Sequence, residues 1–118
     1  MSESQARPWR LYVDDMLLFA SKVLSYTAEL DQDAFSADEL TFDATLRNLE
    51  LLGEAATHVP EDVRAAHPEI PWRLIVATRN RLIHGYLGID VDTVWSIVRD
   101  DVPALVPMLR VLREASLP

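Results

Sequence analysis

The sequence predicts an all-α fold, an antiparallel bundle of four or five helices in a single domain covering 1–118. Three observations predict it. Apolar residues recur at spacings of three and four along most of the chain, which marks one face of a helix. No segment shows the strict alternation of a half-buried strand, and prolines, acids and a serine stand where the periodic stretches begin or break. Apolar residues make up 49% of the 118 and charged residues 25%, with only three glycines. That composition suits one compact core and not a disordered chain.

The first helix is expected from about Trp9 to Leu30, where Tyr12, Met16, Phe19, Ala20, Val23, Thr27 and Leu30 form a stripe. Asp31-Gln32-Asp33 then reads as a polar connection. Ser36-Ala37-Asp38-Glu39 has the form of a capping box, in which the serine hydroxyl and the glutamate carboxylate each accept from a free backbone N–H at a helix start. The helix that follows buries Leu46, Leu49, Leu52, Gly53 and Ala56 and ends before Pro60. On another face Glu50, Glu54 and His58 recur every four residues. That row is either a set of metal ligands or, as is common for charges at this spacing, a solvated face.

Pro60 to Ala66 fits one short helical turn closed by His67-Pro68, with His67 on a surface loop, because proline disfavours helix in the residue before it. The next helix opens at Pro71 and stops at Gly85, using proline at the start and glycine past the end. Its residues 71–84 would span about 21 Å, with Trp72, Ile75, Val76, Leu82 and Ile83 in apolar contact. Asp90 or Asp92 can cap the last helical stretch, where Val91, Val94, Trp95, Val98, Val102, Leu105, Leu109 and Leu112 continue the period. Pro103 and Pro107 interrupt it, so a kink or a restart is expected near Asp100-Asp101.

Composition also excludes. The chain has no cysteine, which removes disulfides, thiolate metal sites and a catalytic thiol. Met1 to Arg10 is polar with no signal-peptide core, and no apolar run reaches the length of a membrane span, so a cytoplasmic location with no membrane partner is the expectation. The net charge of −8 opposes a role in coating DNA, and no helix carries a basic stripe with base-reading residues. Charge is unevenly spread. Residues 70–89 hold Arg73, Arg79 and Arg81 and no acid, leaving the rest of the chain at −11. A small positive site in an acidic shell suits local phosphate handling; chance clustering of arginines is the plain alternative.

That site centres on Arg79-Asn80-Arg81-Leu82-Ile83-His84-Gly85-Tyr86. Asn80 and His84 lie about 40° apart around an ideal helix, so the amide can face the imidazole. Arg79 lies roughly 140° from His84, off its face. Convergence then needs the long arginine reach, a last turn loosened by a left-handed Gly85, or a second subunit. Histidine can move a proton near neutral pH, and a guanidinium can stabilise charge on a phosphorane-like oxygen, so phosphodiester cleavage fits. With RNA the substrate's own 2′-hydroxyl is the nucleophile. Alternatively His84 merely caps the helix, its cation favoured by the helix dipole.

The string Arg79-x4-His84-x-Tyr86 resembles the signature of HepT-like toxins of the HEPN superfamily, and Asn80 matches the polar residue common after that arginine. The resemblance extends to Leu51-Leu52-Gly53-Glu54-Ala55, Gly88-Ile89-Asp90, Val94-Trp95 and Asp101-Val102-Pro103. It implies a homodimer whose two motifs share a cleft, acting as a metal-independent endoribonuclease with no cofactor. By that likeness Arg79 and His84 would be catalytic and Asn80 supporting. From the residues themselves, Glu54 beside Gly53 is a supporting carboxylate that could orient Arg79 or His84, and Arg73 and Arg81 are the candidate RNA contacts. The resemblance also implies a type VII-like toxin–antitoxin pair with a small MNT-type nucleotidyltransferase that silences the toxin by transferring AMP to Tyr86. Tyr86 could equally pack across the dimer. The competing functional reading is a noncatalytic helical module that presents substrate or nucleotide to that partner, with Arg79 and His84 as phosphate ligands.

Overall fold

The computed structural model describes residues 7–85 and 89–115, and the described residues hold helices and no strand. In chain order these are α1 (Trp9–Thr27), α2 (Gln32–Ala37), α3 (Glu39–Thr57), α4 (Glu61–Ala66), α5 (Trp72–Gly85), α6 (Val91–Ser96), a π-turn (Ile97–Asp101) and α7 (Val102–Glu114). The fold is an all-α bundle. Helix α3 packs between α1 and α5, and α1 is also covered by α7.

The core follows the helical stripes. Helix α1 buries Val13, Met16, Ala20, Val23 and Thr27, and ends at Thr27, short of the expected Leu30. Helix α3 buries Leu46, Leu49, Leu52, Gly53 and Ala56 as their spacing requires. Val94, Val98, Val102, Leu105, Leu109 and Leu112 line the inner face of the last helical rod. A side chain buried against its neighbours is worth roughly 1.5–3 kcal/mol, so these stripes set the helix orientations.

The connection between α1 and α3 departs from its sequence reading. Asp31 is an N-cap and not a linker residue: its carboxylate accepts from the Ala34 N–H at 2.9 Å and starts α2. Helix α2 puts Phe35 into the core, where its ring meets Phe42 and Trp95 at centroid distances of 5.3 and 5.1 Å. Ser36 therefore lies inside α2, and the capping-box start moves two residues on. Asp38 caps α3, accepting from the Thr41 N–H at 3.1 Å and the Thr41 hydroxyl at 2.9 Å. The shift has a physical reason. A carboxylate followed three residues later by a free N–H caps as well as serine does, and burying Phe35 requires the extra turn.

Pro60 precedes α4, and the following connection is closed by the Trp72 indole donating to the His67 carbonyl at 3.0 Å. His67, expected on a surface loop, has a side chain only 14% exposed and sits 3.3 Å from a Glu69 carboxylate oxygen. Asp90, of the two capping candidates, starts α6 by accepting from the Thr93 N–H at 2.7 Å. The interruption expected near Asp100-Asp101 takes the form of one π-turn that joins α6 to α7, with the Val102 N–H donating to the Ile97 carbonyl five residues back. The extra residue in that turn accommodates Pro103, which has no N–H to give and would crowd the carbonyl four residues before it.

Among the described residues no helix is long and apolar enough to cross a membrane.

Candidate active site

Helix α5 carries the polar motif, and its attachment to the bundle is unusual. Leu82 is its one buried residue; Ile75, Val76 and Trp72 are half-buried, and Ile83, expected in apolar contact, is exposed. Much of the remaining contact with α3 is made by Arg79. Gly53 makes that contact possible. A methyl group there would overlap the Arg79 Cβ and lie 3.0 Å from its Cγ and 3.1 Å from the Ile75 carbonyl oxygen. The arginine stem thus crosses α3 where that helix has no side chain, and its head emerges beside the next residue, Glu54.

There Arg79 Nη2 donates to Glu54 Oε1 at 2.6 Å, and Nη1 donates to Asn80 Oδ1 at 2.9 Å. The Arg79 side chain is 26% exposed, and its Nε is buried with no partner among the described residues. The other Glu54 oxygen, Oε2, lies 3.2 Å from His58 Nε2. The bond to the His58 ring, helped by the Arg79 charge and hydrogen bond, holds the Glu54 carboxyl below the usual carboxylate range against an opposing push from burial. A planar guanidinium gripped on two terminal nitrogens has little rotational freedom.

His84 stands apart from this cluster. It is exposed in the last turn of α5, and among the described residues its side chain makes no hydrogen bond. Asn80 turns its amide oxygen to Arg79 and not to the imidazole. Gly85 does not loosen the turn: it is the last helical residue, and no described glycine has a positive φ. The helix therefore stays regular through His84, and the angle of roughly 140° between Arg79 and His84 stands.

The two other arginines face different grooves. Arg73, with Arg64, Trp72 and Asn80, lines an open groove of about 1130 Å³ between α4 and α5. Arg81 lines a neighbouring groove with Asp92 and Asp101. Asp90 sits near Arg81, and its carboxyl is lowered first by the Thr93 backbone N–H and hydroxyl and only then by that arginine. Arg73 and Arg81 thus do not form one patch, because eight residues on a helix turn them about 80° apart. Tyr86 lies outside the described residues.

The Glu50, Glu54 and His58 row does not converge. Glu50 pairs with Arg47 at 3.4 Å, Glu54 is shared by Arg79 and His58, and no group of three metal-binding side chains occurs among the described residues. Sequence reasoning placed Gly53 on an apolar face and missed its role as the slot for Arg79. It also missed His58 as a partner of Glu54, although their spacing of four was the signal.

An all-helical bundle with an arginine fixed between two helices and an exposed histidine one turn beyond is the frame of the candidate site. Comparison with known proteins gives that frame a family. The Ribonuclease HepT-like family model matches residues 16–112, and the chain belongs to that family, within the HEPN superfamily. It is 37% identical over 103 residues to a protein of Thermococcus cleftensis named a probable ribonuclease HepT, covering 87% of this chain and 94% of the relative. It is 36% identical over 99 residues to a protein of Methanocaldococcus jannaschii with a provisional RNase name, covering 84% and 91% of the two. No solved structure matches.

Proposed function

We propose that this chain is a metal-independent endoribonuclease, the toxin of a type VII-like toxin–antitoxin pair, whose sites form where two copies meet. The observation that carries the reading is the fixing of Arg79 by Glu54 and Asn80, with His84 left exposed at the same end of α5. The RNase names of the relatives supply the substrate class.

In this reaction the imidazole of His84 takes the proton of a ribose 2′-hydroxyl as that oxygen attacks the adjacent phosphorus. The bond to the 5′-oxygen breaks, that oxygen takes up a proton, and a 2′,3′-cyclic phosphate remains. Proton transfer by a placed histidine is commonly worth ~10²–10⁴ in rate. Arg79 stabilises the charge that builds on the phosphorane oxygens. Its bonds to Glu54 and Asn80 leave one N–H on each terminal nitrogen for that purpose. The groove beside Asn80, with Arg64 and Arg73, offers the RNA backbone a path.

Homodimerisation answers the geometry. The arginine is tied to α3, the last turn of α5 is regular, and His84 points elsewhere, so Arg79 of one copy and His84 of the other are the pair that can face one phosphate. Leu74 and Ile83, 52% and 37% exposed on the same helix, are available to such a contact. A two-fold axis near α5 would use this surface twice. The MNT-type nucleotidyltransferase partner would silence the site by joining AMP to the Tyr86 phenol, adding bulk and phosphate charge two residues from His84.

The test is cleavage of a labelled RNA and its 2′-deoxy counterpart in EDTA, with wild type and His84→Ala compared and the oligomeric state measured by light scattering. The expected result is RNA-only cleavage by a dimer, lost by at least ~10²-fold in His84→Ala with unchanged circular dichroism. Adding the nucleotidyltransferase and ATP should add AMP mass to wild type and not to Tyr86→Phe. No cleavage by an intact wild-type dimer would favour a noncatalytic module that presents substrate to the partner.

A further inference from the structure

One contact chain crosses three helices and ends on Arg79. The Tyr12 ring of α1 stacks on the His58 ring, with centroids 4.7 Å and planes 17° apart, and the Arg7 guanidinium lies 4.6 Å from the centre of the Tyr12 ring. His58 Nε2 lies 3.2 Å from Glu54 Oε2, and Glu54 Oε1 lies 2.6 Å from Arg79 Nη2. His58 is also the C-cap of α3, its backbone N–H bonded to the Ala55 and Ala56 carbonyls, so the base of its side chain is fixed.

Glu54 needs such a clamp. Its side chain is 45% exposed, and a carboxylate at that exposure held by a single bond can swing into water. An exposed ion pair of that kind contributes little and would leave the guanidinium poorly placed. With one oxygen on the imidazole and the other on Arg79, the carboxylate plane is defined at both ends. Stacking on Tyr12 restrains the imidazole, whose own side chain is 48% exposed.

We infer that His58 is a positioning residue for Arg79, acting through Glu54 and held by Tyr12. The inference rests on the ribonuclease reading above for its catalytic consequence, but its geometric content is independent of it. His58 touches no substrate. It sets where the guanidinium points, and a displacement on the order of 1 Å at a charge-stabilising group can cost ~100-fold in rate.

Two substitutions separate the parts. His58→Phe keeps a flat ring for Tyr12 and removes the bond to Glu54, whereas His58→Gln keeps an N–H for Glu54. The readouts are thermal melting, the Arg79 Nε–H cross-peak in a ¹H–¹⁵N spectrum, and kcat on RNA. The expected result is an unchanged melt for His58→Phe, a shifted and broadened Arg79 signal, and a kcat lowered by up to ~100-fold. His58→Gln should recover both, and His58→Phe should have no further effect in a Glu54→Gln background. If His58→Phe does not fold, His58→Leu takes its place.

An Arg79 signal that ignores the loss of His58 overturns the inference, as does a kcat loss that persists in full on Glu54→Gln. Wild type that cleaves no RNA while the Arg79 signal still follows His58 overturns the ribonuclease reading and supports the positioning.

Discussion

Helices α5 and α7 are nearly the same length, 14 and 13 residues, yet they are held to the bundle by different physics. Helix α7 buries Val102, Leu105, Leu109 and Leu112 in an unbroken stripe. Helix α5 buries only Leu82 fully, packs Trp72, Ile75 and Val76 half-buried against the core, and adds an arginine laid across a glycine and tied to a glutamate. Apolar contact is non-directional and scales with area, so α7 needs only side chains of the right size. A charge-assisted bond is directional, so α5 is placed by the same group that the reaction is proposed to use. Fold and site are separable in α7 and coupled in α5.

That contrast can be broken at its stable end first. Leu109 is fully buried, and Leu109→Ala should cost ~2–5 kcal/mol in denaturant unfolding. Below its lowered melting temperature the variant should cleave RNA at the wild-type rate. A loss of rate in protein shown to be folded would mean that α7 shapes the site too.

A smaller stability effect with a larger functional one is expected at the coupled end. Gly53→Ala places a methyl group against the Arg79 stem, and the nearest atoms are Cβ and a backbone carbonyl that cannot swing aside. Overpacking of this kind costs ~1–3 kcal/mol, and α5 must back away from α3. Cleavage should fall with it, together with the Arg79–Glu54 contact. Normal cleavage with an undisturbed Arg79 signal would show that the slot at Gly53 is not needed to place the arginine.

The smallest effect sharpens the comparison by pH. The Glu54 carboxyl is lowered by His58 and then Arg79, and the Asp38 and Asp90 carboxyls by backbone N–H groups of Thr41 and Thr93. A lowered carboxyl stabilises the fold fully above its ordinary value of about 4 and loses that contribution as the pH falls through the folded value. Melting temperature should be level near neutral pH and decline below about pH 4, modestly because these groups are exposed. Hydrogen exchange should rise in α5 before α7, since α7 keeps its buried apolar stripe when its ion pair from Arg113 to Asp14 of α1 is lost. Loss of protection in α7 first would reverse the assignment.

Much of this was legible in the sequence because it is local. The helical stripes of α1, α3 and α7, the break near Asp101 and the acidic cap at Asp90 or Asp92 depend on residues within a turn or two of one another. The misreadings came where two local signals competed. Asp31 reads as part of a polar connection and Ser36 as a helix start, yet the burial of Phe35 against Phe42 and Trp95 makes Asp31 the start and puts Ser36 inside the helix. Gly85 looked like a left-handed stop, yet the helix keeps its regular turn through that residue.

The sequence by itself determined the helices, the family, and the identity of the polar groups from Arg79 to His84. Only the tertiary structure decided what those groups do to one another. Arg79 and Glu54 are 25 residues apart, and neither the period of α3 nor that of α5 says that the two helices cross at Gly53. The crossing follows from the summed packing of the whole core. From it come the slot for the arginine and the carboxylate that Glu54 shares between Arg79 and His58.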